Sequence, residues 1–375
     1  MAGDLQYWPI APPGGDGRHG SATPIAKKGH GVTQRLIGIR HVVQRALTLG
    51  IVASALVSFA RGYAADMSAP RVSKADDYPR KSIRVIDPFP AAGAGDIIAR
   101  VIGPKFAERY GQAFVVDNRP GAGGNVAAEL AAKAPPDGYT LFNVIVFSLA
   151  PSVSLYPQSG FDPMKDFAYI TLLAGGSYVI VANPSFPAKT IAELVALAKS
   201  QPGKISYGSS GVGGPVHIAG ELLKSRAGIN LLHVPYKGAA PIMTAVAGSE
   251  VPIGFPSVAG ALPLLKAGRV VPIAVMGTQR IKTLPNVPTV AESGYPGYDF
   301  TPWYGIAAPA GTPRSIVLGL NAGLGKIVQL PEVQSALAAQ GLDAASSTPE
   351  RLRDIVREAI ATCAKIIKDV GIKIE

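Results

Sequence analysis

The chain predicts an α/β protein of two lobes, and three observations carry that expectation. Short β-branched runs alternate with helical patterns almost from end to end. Glycine and proline, 43 and 33 of the 375 residues, punctuate the boundaries between them. Two glycine loops each stand between a short strand and a helix start, where open α/β sheets hold their ligands. No connection is long enough to act as a linker, so the chain is expected to cross between lobes more than once.

In order, Ile83-Arg84-Val85-Ile86 reads as a strand and Ile97-Ile98-Ala99-Arg100-Val101 as the opening of a helix, with Asp96 as its expected cap. Between them lies the first glycine loop, Asp87 to Asp96, whose backbone N–H groups suit a carboxylate or phosphate. The helix ends at Gly111, a strand follows at Phe114 to Asn118, and Pro120-Gly121-Ala122-Gly123-Gly124 turns into an alanine-rich helix. Tyr139 to Val144, Ala168 to Leu173 and Tyr178 to Ala182 read as strands. Thr190 and Glu193 have capping-box spacing at the start of the next helix. Ile205 to Gly208 leads into the second glycine loop, Ser209 to His217, and a helix to about Arg226. Strands are expected from Leu231, Val251 and Val270, and the chain closes with helices that include Pro349 to Asp369.

Composition narrows the function. Charged residues are 16% of the chain and hydrophobic ones 47%, the balance of a folded protein. Of the net charge of +11, +5 falls before residue 65, where Arg18, Lys27, Lys28, Arg35, Arg40, Arg45 and Arg61 face only Asp4 and Asp16, and the rest of the chain is mildly basic. No basic cluster is interleaved with aromatics, so nucleic acid is not an expected partner. Arg35, Arg40 and Arg45 precede the apolar run Ala46 to Ala60, and small residues follow at Gly62-Tyr63-Ala64-Ala65. This is the export pattern, with cleavage expected near Ala64 or Ala65 and the physiological start expected downstream of Met1. The sole cysteine, Cys363, sits at apolar helix spacing and is expected to be a buried hydrophobe.

Other chemistries fit less well. Gly93-Ala94-Gly95 with Asp117 on the next strand echoes a dinucleotide fingerprint. However, Pro88-Phe89-Pro90 lengthens the turn and Asp96 would face a pyrophosphate. Ser209, Ser210, His217 and His233 offer a nucleophile and base without a G-x-S-x-G elbow. Packing or loop hydrogen bonds are the expected roles of both histidines, and a metal site from them with Asp96 has no spacing to support it. No catalytic residue, metal or cofactor is expected. Trp303-Tyr304 is read as core with an aromatic cleft wall as the alternative, and Lys237 as a solvated cation or one near an anionic ligand.

Seven stretches in order resemble one family. They are Ile83 to Ala91, Asn118-Arg119-Pro120-Gly121-Ala122-Gly123-Gly124-Asn125, Ala134 to Leu141, Tyr207-Gly208-Ser209-Ser210-Gly211, His233-Val234-Pro235-Tyr236-Lys237-Gly238, Leu284 to Thr289 and Ala308 to Pro313. Together they resemble the substrate-binding proteins of tripartite tricarboxylate transporters, the Bordetella uptake gene receptors. The resemblance implies a periplasmic, type II, two-lobed binding fold, with residues 75–175 and 297–375 in one lobe, 176–296 in the other and 1–65 as the export region. It implies a non-enzymatic, monomeric receptor that captures a carboxylated small molecule and delivers it to membrane permease subunits. A sensor presenting ligand to a membrane kinase, or an enzyme on the same scaffold, are the alternatives. By position it places Phe89, Ala91, Ala92, Gly93, Ala94, Gly95 and Asp96 around the ligand from one side. From the other it places Ser209, Ser210, Gly211, Val212, Gly213 and His217. Asp87 and Gly95 depart from the family pattern, which has an apolar residue and a threonine or serine there; Val212 and Pro256 replace residues that are often polar. A carboxylate with an apolar or aromatic body is expected over a citrate-like ligand.

Overall fold

The structure, a computed structural model, describes residues 78–372. The export segment, its cleavage site and the start of translation lie outside the described residues. Among these residues no helix is long and apolar enough to cross a membrane.

The first lobe is built on a six-stranded mixed sheet. Its strands are β1 (Ile83–Asp87), β2 (Phe114–Asn118), β3 (Thr140–Ile145), β4 (Phe167–Gly175), β10 (Trp303–Pro309) and β11 (Asp343–Ala344), in the spatial order β11-β4-β10-β3-β1-β2. β1 runs parallel to β2 and β3, with Asp87 opposite Asn118 and Ile86 opposite Phe142. β10 is antiparallel to both β3 and β4. The second lobe holds β5 (Val179–Ala182), β6 (Ser206–Ser209), β7 (Leu232–Pro235), β8 (Ile253–Gly254) and β9 (Val271–Val275), in the order β7-β6-β8-β5-β9. The chain therefore crosses twice, from β4 to β5 and from β9 back to β10. The wholly buried Val-Ile-Val-Ala of β5 reads as a continuous apolar run because both faces of its sheet are covered.

The helices are α1 (Ala94–Tyr110), α2 (Asn125–Ala132), α3 (Val146–Leu149), α4 (Ser152–Leu155), α5 (Ile191–Ser200), α6 (Pro215–Ala227), α7 (Ala239–Ala247), α8 (Val258–Lys266), α9 (Arg314–Val328), α10 (Pro331–Ala338) and α11 (Pro349–Val370). Thr190 and Glu193 close the capping box that their spacing predicts. The cap of α1 differs from expectation. Gly93 is the N-cap, in extended conformation, and Asp96 is the third helical residue. Ala94 and Gly95 carry no bulk that competes with the first turn, so the helix begins before the acid.

Ile98, Ile102 and Phe106 of α1 share one core with Ile83, Val85, Leu141 and Ile306 of the sheet and Leu320 and Leu324 of α9. On α11, Leu352, Ile355, Val356, Ala359, Cys363, Ile366 and Ile367 form the buried stripe. Cys363 is thus a core hydrophobe, and burial pushes its thiol pKa well up. α11 also packs on α6, so the last helix of the chain ties the first lobe to the second.

Candidate functional site

Pro88 and Pro90 stiffen the exit from β1, and the loop then folds back over its own helix. The Asp96 Oδ2 accepts from the Ala92 N–H at 3.0 Å and from the Arg100 Nε–H at 2.9 Å. Ala92 has φ 65°, a left-handed conformation that L residues avoid, and this bond helps hold it there. Burial pushes the Asp96 pKa up, but Arg100 and the Ala92 N–H more than offset it and leave the carboxyl below the usual range. Its Oδ1 is buried with no hydrogen-bond partner. Asp87 is also buried, its Oδ1 accepting from the Phe89 N–H at 2.8 Å and its Oδ2 from Asn143 Nδ2 at 2.6 Å.

Four helices of the two lobes turn their N-termini to one cavity of about 40 Å³. Gly93, Ala94 and Gly95 come from α1, Pro215 and Val216 from α6, Gly238 and Ala239 from α7, and Ser257 caps α8. Each such end carries roughly half a positive charge and N–H groups without intrahelical partners. The other walls are Phe89, Ile145, Ile242, Phe255 and Pro256, with Tyr178, Tyr304 and Ser210 as polar members. No charged side chain lines the cavity. The Ser210 Oγ is buried and has no hydrogen-bond partner. The phenols of Tyr178 and Tyr304 interact with each other, and burial raises the pKa of both, so both stay protonated. The arrangement offers positive potential and neutral donors around apolar walls.

Of the residues singled out in the sequence, the structure brings Phe89, Gly93, Ala94, Gly95 and Ser210 to this cavity. Ala91 and Ala92 are exposed and do not line the cavity, and Asp96 is buried. Ser209 is fully buried, with its Oγ 2.5 Å from His233 Nε2. The His233 ring stacks on His217 at 4.0 Å, and His217 Nδ1 accepts from the Gly213 N–H at 3.1 Å. Burial drives the His233 pKa down to about 3 and lowers that of His217, so both imidazoles are neutral at physiological pH. They brace the second loop from behind. Gly211, Val212 and Gly213 face the first lobe: Tyr156 Oη donates to the Val212 carbonyl at 2.9 Å. A Cβ on Gly123, whose φ is 65°, would lie 2.9 Å from that same carbonyl. Glycine at 123 therefore permits both the left-handed turn and the close approach of the lobes there.

The residues missed in the sequence lie mostly in the second lobe and at crossing points: Tyr178, Gly238, Ala239, Ile242 and Ser257, with Ile145 from the first. Ser257 had a readable signal, a serine just before an apolar helical run, and its Oγ accepts from the Gly260 N–H. Tyr304, not Trp303, supplies the aromatic wall, and Lys237 is exposed beside it in sequence while Gly238 reaches the cavity.

Comparison with known proteins agrees with this architecture. Residues 98–372 match the family described as the tripartite tricarboxylate transporter family receptor. BugT of Bordetella pertussis is 32% identical over 302 residues, which span 80% of this chain and 93% of that protein. A Rhodopseudomonas palustris protein solved with adipate superposes with a TM-score of 0.77 at 34% identity, covering 79% of this chain and 99% of the other. MatC from the same organism, with bound malate, gives 0.73 at 29% identity, covering 77% and 100%. With a family match over most of its length and the same two-sheet fold, this chain belongs to the TctC family of non-catalytic solute-binding receptors.

Proposed function

We propose that this protein is an exported receptor that captures a small carboxylate between its lobes and presents it to the permease of a tripartite transporter. The observation that carries the reading is the convergence of four helix N-termini on an apolar cavity that no charged side chain lines. Such ends stabilise one anionic group without a cation, and the remaining walls suit a hydrocarbon or aromatic body. The ligand we infer has one carboxylate read by the helix ends and an apolar remainder; relatives solved with adipate and malate support the carboxylate itself. The cavity walls come from both lobes, so entry requires the lobes to part about their two crossings. Export to the periplasm rests on the basic, apolar and small-residue sequence before residue 66.

A thermal-shift screen of monocarboxylates, dicarboxylates and aromatic acids tests the reading, since a bound ligand raises the melting temperature by mass action. Aromatic and aliphatic monoacids are expected to give the largest shifts; no shift from any acid at millimolar concentration contradicts a carboxylate receptor. Ser210→Ala should leave the melting temperature of the free protein almost unchanged, because the Ser210 Oγ bonds nothing within the protein. Calorimetry with the best acid of the screen should show affinity weakened about tenfold, the loss of one hydrogen bond to a charged group. Unchanged affinity would remove Ser210 from the site.

A further inference from the structure

We infer that Asp87 is a specificity-determining residue whose carboxyl must take up a proton for the cavity to accept an anion. The inference rests on the receptor reading above and concerns the same cavity. Asp87 packs behind a cavity wall: a Cβ on Gly95, which lines the cavity, would stand 2.5 Å from its Oδ2, so the carboxyl lies against the glycine that forms that wall. An ionised Asp87 there adds a second negative charge at the α1 N-terminus, beside Asp96 whose charge Arg100 partners, and repels a ligand carboxylate held at that end. A neutral Asp87 removes that repulsion and leaves Asp96, paired with Arg100, as the acid of the first turn.

The surroundings accommodate both forms. In the ionised form Asp87 accepts from the Phe89 N–H and from Asn143 Nδ2, which leaves Asn143 Oδ1 buried without a partner. In the protonated form a turn of the Asn143 amide lets Oδ1 accept the carboxyl proton, and the 2.6 Å separation suits an O–H···O bond. The groups facing Asp87 from neighbouring elements are Asp96 and Arg100 of α1, Asn118 of β2, Asn143 of β3 and Tyr304 of β10. Arg100, the one cation among them, is exposed and bound to Asp96. Asp117 of β2 is held by Arg84 and Arg119. Burial, with Asp96 adding, raises the Asp87 pKa to about 7 against the pull of the Phe89 N–H and Asn143. Protonation is therefore accessible near neutrality, and an arriving anion favours it further.

The test is calorimetric titration of the wild type and Asp87→Asn with benzoate and with adipate at about pH 6 and about pH 8.5. Wild-type affinity should fall about tenfold or more over that interval, with proton uptake on binding at the higher pH, read from buffers of different ionisation enthalpy. Asp87→Asn should bind at the higher pH as tightly as the wild type does at the lower, with no pH slope. Binding that is flat with pH in the wild type, or a slope that persists in Asp87→Asn, overturns the proton role and leaves the receptor reading intact. Absence of binding by either acid at the lower pH, where Asp87 is neutral, counts against both readings. Carbon-13 carboxyl NMR of the free wild-type protein decides independently of any ligand and of the variant's folding: Asp87 titrating in the ordinary carboxylate range overturns the inference.

Discussion

Gly95→Ala is expected to destabilise the protein by about 2–4 kcal/mol. Its sign is opposite to what the position in the helix suggests. Gly95 is the second residue of α1, where alanine ordinarily gains up to about 1 kcal/mol over glycine. Here the new Cβ would stand 2.5 Å from Asp87 Oδ2 and 2.8 Å from Asn143 Nδ2, two atoms bonded to each other and buried. Making room breaks that bond and leaves both groups without water, at about 1–3 kcal/mol for each unpaired group. The clash therefore outweighs the propensity. Urea unfolding measures the difference, and a stabilised Gly95→Ala would mean that the Asp87 pocket yields freely.

The same geometry joins two departures from the family pattern into one. An apolar residue at 87 and a hydroxyl residue at 95 are the pattern that the sequence lacks; the structure shows that the carboxyl of Asp87 occupies the space a side chain at 95 would need. Asp87→Val and Gly95→Ser should each be costly alone and partly compensating together, with a coupling of about 1–3 kcal/mol in a double-mutant cycle. Additive effects would show that the two positions do not share that space.

Much of this fold was legible because its signals are local. The glycine at 111 that ends α1, the capping box of Thr190 and Glu193 and the apolar stripe around Cys363 are each set within a few residues. The strand–loop–helix units at Asp87 and Ser209 were legible for the same reason. The cavity was only half legible because it is assembled across the crossings. Tyr178 stands just before β5 and Tyr304 lies within β10, and nothing within either segment tells which aromatic meets the other lobe. Periodicity likewise could not separate Trp303 from Tyr304. Of the four helix ends, the sequence singled out the two that follow glycine-rich loops, while those at Gly238 and Ser257 follow ordinary turns. Asp96 was misplaced as a cap because aspartate is a strong cap in general, whereas Ala94 and Gly95 let the helix start earlier.

Asp96→Ala should lower stability by about 2–3 kcal/mol at neutral pH and weaken ligand binding about tenfold, through the loop and without contact between Asp96 and the ligand. The Arg100 partner contributes little, since its side chain is 57% exposed and the pair is screened by water. The weight falls on the bond from the Ala92 N–H, which holds a non-glycine residue at φ 65° at a conformational cost of about 1–2 kcal/mol. Losing an acid from the first turn of α1 adds about 0.3–1 kcal/mol. The pH dependence separates the charge from the shape. The folded pKa of Asp96 is lowered, so its stabilisation is present above the unfolded carboxylate value and fades as pH falls through the folded one. The gap between wild type and Asp96→Ala should therefore narrow in acid, while Asp96→Asn, which keeps an acceptor for the Ala92 N–H, should lie between them at neutral pH. Hydrogen exchange at Ala92 and Gly93 should rise in Asp96→Ala and much less in Asp96→Asn. If both variants match the wild type in exchange and affinity, the loop holds its shape without Asp96, and the two prolines and Gly93 must suffice to fix the α1 N-terminus against the cavity.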